Sequence, residues 1–155
     1  MTGNADKPQL VTVRARGTWE SKVKTALKVR NFPPFYSDEP QALGGDDTGP
    51  NPMEYVMAAL NGCVSVMIHM IAQEMNFQYE AAEFLADGVL DVRGLMGVPG
   101  VQPHFLEVRQ TVRIKTNEPR ERLEELKQKV ESRCPAACLI KAANVPFHST
   151  WEYME

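Results

Sequence analysis

The stretch from Asn51 to Asn76, NPMEYVMAALNGCVSVMIHMIAQEMN, constrains the fold more than any other part of this chain. Asn51 suits an N-cap and Pro52 the first helical position, and Glu54 falls in the first turn, where the helix dipole favours negative charge. Apolar residues then recur at helical spacing through Val56, Ala59, Leu60, Cys63, Val66, Met67, Met70 and Ile71. The spacing predicts one helix of about 25 residues, roughly 37 Å long. Asn61, Ser65 and His69 interrupt its apolar run, so it reads as a buried helix and not as a membrane span. It is apolar on most sides, more than one small sheet can cover. A partner subunit is therefore expected to supply a second covering surface, in a symmetric dimer.

Strand patterns flank this helix. LVTVRARGTW (10–19) and KVKTALKVRNF (22–32) alternate apolar and polar residues, the mark of half-buried strands, with the polar GTWES between them as a hairpin link. PPFYSDEP (33–40) predicts a third short strand. The paired glycines, paired aspartates and prolines of QALGGDDTGPNP (41–52) predict a loop. EFLADGVLDVRGLM (83–96) and FLEVRQTVRIKTN (105–117) read as two long strands around the loop GVPGVQPH. EPRERLEELKQKVESR (118–133) is a polar helix with a narrow apolar stripe of Leu123, Leu126 and Val130, and Pro119 suits its first turn. A short helix opens at Cys134-Pro135 and runs to about Ala143, and PFHSTWEYM closes the chain as a strand. Strands and helices are segregated along the sequence, so the class is α+β with a largely antiparallel sheet. Residues 1–8 are expected to fray and 9–155 to form a single domain.

The net charge is −3 and no basic run occurs, so a nucleic-acid footprint is not expected. MTGNADKPQL lacks the apolar core of a secretory signal. The expected setting is a reducing cytoplasm without membrane association, where cysteines are more often free, catalytic or metal-binding than structural disulfides.

Three cysteines carry the candidate chemistry. Cys134, just before a helix-opening proline, reads two ways: as a small cap, or as a thiol whose thiolate is favoured by unpaired backbone N–H groups and the positive end of the dipole. Cys138 lies one turn later on the same face. It is a second available thiol or a small packed residue of AACLIKAA. Cys63 sits in an apolar stripe, where a cysteine is usually core. Asn61-Gly62 just before it are poor helix-interior residues, the glycine costing about 1 kcal/mol relative to alanine, which suggests a close approach to the helix beside Cys63. Zinc is not expected. CxxxC is a weak signal, the histidines are scattered, and His69 lies six positions from Cys63 and so faces away from it.

Two motifs at this separation, DEPQALGGDDTGPNPMEYVMAALNGCVSV and RCPAAC, resemble those of the OsmC/Ohr family, the osmotically inducible protein C and organic hydroperoxide resistance proteins. The resemblance runs from about Val11 to Tyr153. It implies an intertwined homodimer in which two long central helices are wrapped by β-sheet and two shared active sites lie at the interface. It also implies reduction of hydroperoxides by two cysteines without metal, flavin or haem, and an external dithiol as reductant. By position, Cys63 would be the peroxidatic thiol and Cys134 the resolving thiol, with Cys138 the alternative. Active relatives carry an arginine that lowers the attacking thiol's pKa, held by a glutamate at the start of the long helix, which in the hydroperoxide-resistance branch directly follows the Asn-Pro. Here Met53 holds that place and Glu54 follows, about 100° further round the helix. GTWES contains no arginine; Arg30 is the substitute expected here, ahead of Arg14 and Arg16. These departures leave a second expectation open: a weak or inactive dimer of the same type that binds a small hydrophobic ligand in its apolar cleft.

Overall fold

The computed structural model describes residues 7–155, so most of the frayed stretch expected at 1–8 lies outside the described residues. By contact, the chain falls into two units, one ending at Glu54 and the other beginning at Tyr55.

In the first unit, β1 (Arg16–Ser21), β2 (Lys24–Lys28) and β3 (Phe35–Ser37) form an antiparallel meander in the order β1-β2-β3. The first strand begins six residues later than its alternation predicts. Alternation marks a residue pattern but supplies no neighbour to pair with. Among the described residues, the run before Arg16 has no ladder partner, and Leu10, Val11 and Val13 are each at least 89% exposed. GTWES is not the link between the strands but lies within β1, with Trp19 opposite Thr25. The turn falls at Lys22, whose φ is 47°, and the Trp19 indole N–H donates to the Lys22 carbonyl at 2.9 Å.

After β3 the chain enters a loop organised by one buried side chain that the sequence reading did not single out. Asp38 is 1% exposed. Its Oδ1 accepts from the Glu39 N–H at 2.9 Å. Its Oδ2 accepts from the Thr48 hydroxyl at 2.7 Å and from the Thr48 and Asp46 N–H groups at 3.1 and 3.3 Å. Gly45 makes the fold-back possible, because a Cβ there would overlap the Glu39 carbonyl oxygen. The Thr48 hydroxyl, with these backbone donors, holds the Asp38 carboxyl down at about 2, from an ordinary 3.8, against the opposing effect of burial. A depressed carboxyl stabilises the fold above its unfolded pKa and loses that contribution as pH falls through the folded value. Thermal melts should therefore show the parent losing stability between about pH 3.8 and 2 relative to Asp38→Asn, which carries no titrating carboxyl at this position.

The loop ends in a helix start of the predicted kind. Asn51 Oδ1 accepts from the Glu54 N–H and Glu54 Oε2 accepts from the Asn51 N–H, both at 2.8 Å, a reciprocal capping box with asparagine as the cap. From there α1 runs Pro52–Met75, as its apolar spacing predicts.

In the second unit, β4 (Ala81–Val89) pairs antiparallel with β5 (Glu107–Lys115), and β6 (Phe147–Tyr153) pairs with β5 in parallel. The two strands expected around GVPGVQPH are present, but the first stops at Val89. Asp91 then accepts from the Arg93 N–H and caps a one-turn helix, α2 (Val92–Leu95), so DVRGLM leaves the sheet. α3 (Arg120–Arg133) and α4 (Pro135–Ala142) form the crossover that lets β6 run parallel to β5. Pro119 caps α3 from just outside it.

The core of this unit joins Leu60, Val64, Ile68 and Ile71 of α1 to Val108, Val112 and Ile114 of β5 and to Leu123, Leu126 and Val130 of α3. The predicted α3 stripe is thus wholly buried, each residue at most 1% exposed. α1 is long and apolar enough to cross a bilayer, with mean hydropathy 1.7, but this packing makes it a core helix. It also keeps a second apolar stripe that the described residues leave uncovered: Val56, Val66 and Met70 are 38%, 58% and 46% exposed.

Candidate active site

Two thiols that are distant in sequence meet in the second unit. Cys63 belongs to α1, in step with Val56, Ala59, Val66 and Met70 at three- and four-residue spacing, and is half-buried at the edge of the core. Cys134 ends α3 and stands at the N-cap of α4, with Pro135 in the first helical position. It is fully buried, at 0% exposure. The fold brings the two side chains close enough for Cys63 to act on the proton affinity of Cys134.

Burial pushes the Cys134 thiol up from an ordinary 9 to about 11. The Ala137 N–H, and to a lesser degree the Ala136 N–H, pull the other way, as the open end of a helix should, but they do not outweigh desolvation. The Cys63 side chain adds to the rise, both as hydrogen-bond partner and as a neighbouring charge. Of the two readings of Cys134, the favoured thiolate is therefore not what the site holds at rest. The helix end acts on the sulfur, but a buried thiol at neutral pH keeps its proton. Among the described residues, no cation is among the groups that set the proton affinity of Cys134.

The other candidates each have local partners. The Cys138 thiol points back at α3, where the Ser132 and Glu131 carbonyls accept from it at 3.5 and 3.8 Å. Glu54 belongs to the first unit and commits Oε2 to the cap of α1. Arg30, also in the first unit, has its guanidinium over the Phe32 ring, 4.7 Å from the centroid. In the second unit, Arg133 directly precedes Cys134 but is engaged by Glu74 through two hydrogen bonds, at 2.6 and 2.9 Å. His69 is exposed, and His148 stands 3.7 Å from Glu107. Among the described residues, no group of three or more His, Cys, Asp or Glu is gathered to hold a metal ion.

The close approach expected beside Cys63 is not made among the described residues. A Cβ on Gly62 would meet nothing within 4 Å among the described residues, because Gly62 lies on the uncovered side of α1. Asn61 has a different use. Its Oδ1 accepts from Gln110 Nε2 at 3.2 Å, and Gln110 is 3% exposed on the core face of β5. This pair ties α1 to the sheet two residues before Cys63, and sequence reasoning missed it. The available signal was a glutamine in phase with Val108, Val112 and Ile114, where alternation calls for an apolar residue.

Comparison with known proteins bears on this geometry. No curated protein matches the sequence. Among solved structures, an OsmC-like protein from Mycoplasma pneumoniae superposes with a TM-score of 0.80 at 12% identity, covering 94% of this chain and 99% of that one. An organic hydroperoxide resistance protein OsmC from Legionella pneumophila gives 0.70 at 17%, covering 96% and 100%. The organic hydroperoxide resistance protein OhrB of Bacillus subtilis gives 0.61 at 19%, covering 93% and 98%. At such identities the likeness is one of fold. The sequence itself matches a family model described as OsmC-like protein over residues 44–149, a span that holds both Cys63 and Cys134. Motif, fold and family match agree, and the chain belongs to the OsmC-like family.

Proposed function

We propose that this protein is a thiol peroxidase that reduces organic hydroperoxides through Cys63 and Cys134. The contact between the two thiols carries the reading. Their unequal burial orders the roles. Cys63 is half-exposed and can meet a substrate, whereas Cys134 is enclosed and keeps its proton, so it is the poorer first nucleophile.

The Cys63 thiolate attacks one oxygen of the hydroperoxide. The O–O bond breaks, the alkoxide leaves and is protonated to the alcohol, and Cys63 becomes a sulfenic acid. Cys134 then attacks the Cys63 sulfur, the hydroxyl departs as water with the Cys134 proton, and a disulfide forms. An external dithiol returns both thiols by exchange and is itself oxidised to a disulfide. Val66 and Met70 flank Cys63 on the exposed stripe of α1, and such apolar neighbours reward alkyl over hydrogen peroxide.

The test is to add one equivalent of cumene hydroperoxide to the reduced protein and map disulfides by mass spectrometry. A Cys63–Cys134 bond is the expected product. A bond through Cys138 would reassign the resolving role, and slow oxidation without preference among the three thiols would sink the enzyme reading.

One observation favours a second reading. Met53 stands where the hydroperoxide-resistance branch has the glutamate, and Glu54 is spent on the helix cap. On that reading the protein is a non-catalytic OsmC-like dimer that holds a small hydrophobic ligand, and the slow, unselective oxidation is its signature.

Both readings use a homodimer. Its support is the uncovered stripe of Val56, Ala59, Val66 and Met70, on which Cys63 also lies; a second α1 would cover it. Val66→Asp should turn a sedimenting dimer into a monomer of unchanged helix content. A parent chain that sediments as a stable compact monomer would remove the shared site.

A further inference from the structure

Away from the thiols, the first unit holds a concavity of about 590 Å³ lined by Thr12, Val13, Val29, Asn31 and four cations: Arg14, Arg16, Lys28 and Arg30. Among the described residues, no carboxylate lines it. Among the described residues, none of the four cations makes an ion pair, whereas eleven other Lys and Arg side chains do. The clustering runs against the −3 charge of the whole chain.

The register makes the arrangement costly to the folded state. Arg16 and Lys28 are direct cross-strand partners, so their side chains leave the same face of the hairpin side by side, and like charges so placed are destabilising. Arg14 and Arg30 lie two residues beyond them on either side, at the open end of the same ladder. Arg30 itself has φ 48°, at the first inner position of the turn that the Phe32 N–H closes on the Val29 carbonyl. That conformation favours glycine over any other residue. Like charges held side by side on one concave patch are relieved by a bound negative charge.

We propose that this concavity binds a small, multiply charged phosphate compound, held by Arg16 and Lys28 with Arg14 and Arg30 at its sides. The space suits a molecule of metabolite size. Arginine forks match phosphate oxygens in pairs, and lysine adds a point charge. A small polyanion fits better than a nucleic acid, because the net negative charge of the chain repels an extended one. The proposal stands apart from the redox reading and does not depend on it.

Inorganic pyrophosphate is the probe, titrated calorimetrically into the full reduced chain at low and physiological salt. Saturable binding at one site per chain is expected, weakening with salt. Arg16→Gln with Lys28→Gln should weaken it by about tenfold or more. Lys28→Glu separates binding from folding. It replaces repulsion by attraction across the ladder, so its melting temperature without ligand should equal or exceed the parent's, while the rise that pyrophosphate gives the parent disappears. Absence of saturable binding to the parent would overturn the proposal, as would undiminished binding to either variant. So would a Lys28→Glu chain that melts below the parent, or tighter binding of an oligothymidylate than of pyrophosphate at physiological salt.

Discussion

Cys63→Ser should abolish peroxide consumption, lowering the second-order rate with cumene hydroperoxide by about a thousandfold or more, as loss of a nucleophile does elsewhere. A serine hydroxyl in this place has neither the acidity nor the polarisable electron pair to break an O–O bond. Cys134→Ser should behave differently. Its first turnover survives, because Cys63 is untouched, but the sulfenic acid then has no partner. It should accumulate, be trapped by dimedone, and stop dithiol-dependent cycling. Cys138→Ser should cycle almost as the parent does, since that thiol already faces the Ser132 and Glu131 carbonyls. Stopped-flow peroxide consumption and intact-mass analysis of the trapped species read all three. Full activity in Cys63→Ser would end the mechanism at its first step.

The second large effect concerns folding. Ile71 is 0% exposed, within the cluster that joins α1 to β5 and α3. Ile71→Ala removes buried methylene and methyl groups and leaves a cavity, which costs about 2–5 kcal/mol. Against a total of about 5–15 kcal/mol for an ordinary domain, that is a large share. The urea midpoint should fall clearly with an unchanged slope. Val66→Ala, one and a half turns away on the uncovered stripe, should leave the intrinsic stability of the subunit nearly unchanged and act on association instead.

Much of this fold was legible because its strongest signals are periodic. α1 follows from the apolar spacing between Asn51 and Asn76, and its start follows from the Asn51 and Glu54 side chains, which cap each other as their spacing requires. The α3 stripe and the Cys134-Pro135 helix start follow in the same way. What stayed hidden depends on partners that no local pattern names. Residues 10–15 alternate as a strand does but pair with nothing described, and DVRGLM looked continuous with a strand until Asp91 turned to cap the next turn. The direction of β6 was likewise invisible, because a parallel neighbour is chosen by the path of α3 and α4 and not by the residues of the strand. At the site, the proposed pairing of Cys63 with Cys134 was legible only through family resemblance, since nothing local in either segment points to the other. The Asn61–Gln110 bond and the Asp38 loop left only faint traces, a polar residue in an apolar phase and an aspartate among many.

The meeting of those two sulfurs has a thermodynamic consequence outside catalysis. A bond between them would staple together positions separated by about 70 residues, and tethering a loop of that length removes on the order of 4 kcal/mol of disorder from the denatured chain. The spent form would then resist heat better than the form ready to react. On the proposed mechanism, each cycle would pass through a toughened state, and a shortage of reductant would accumulate the most durable copies.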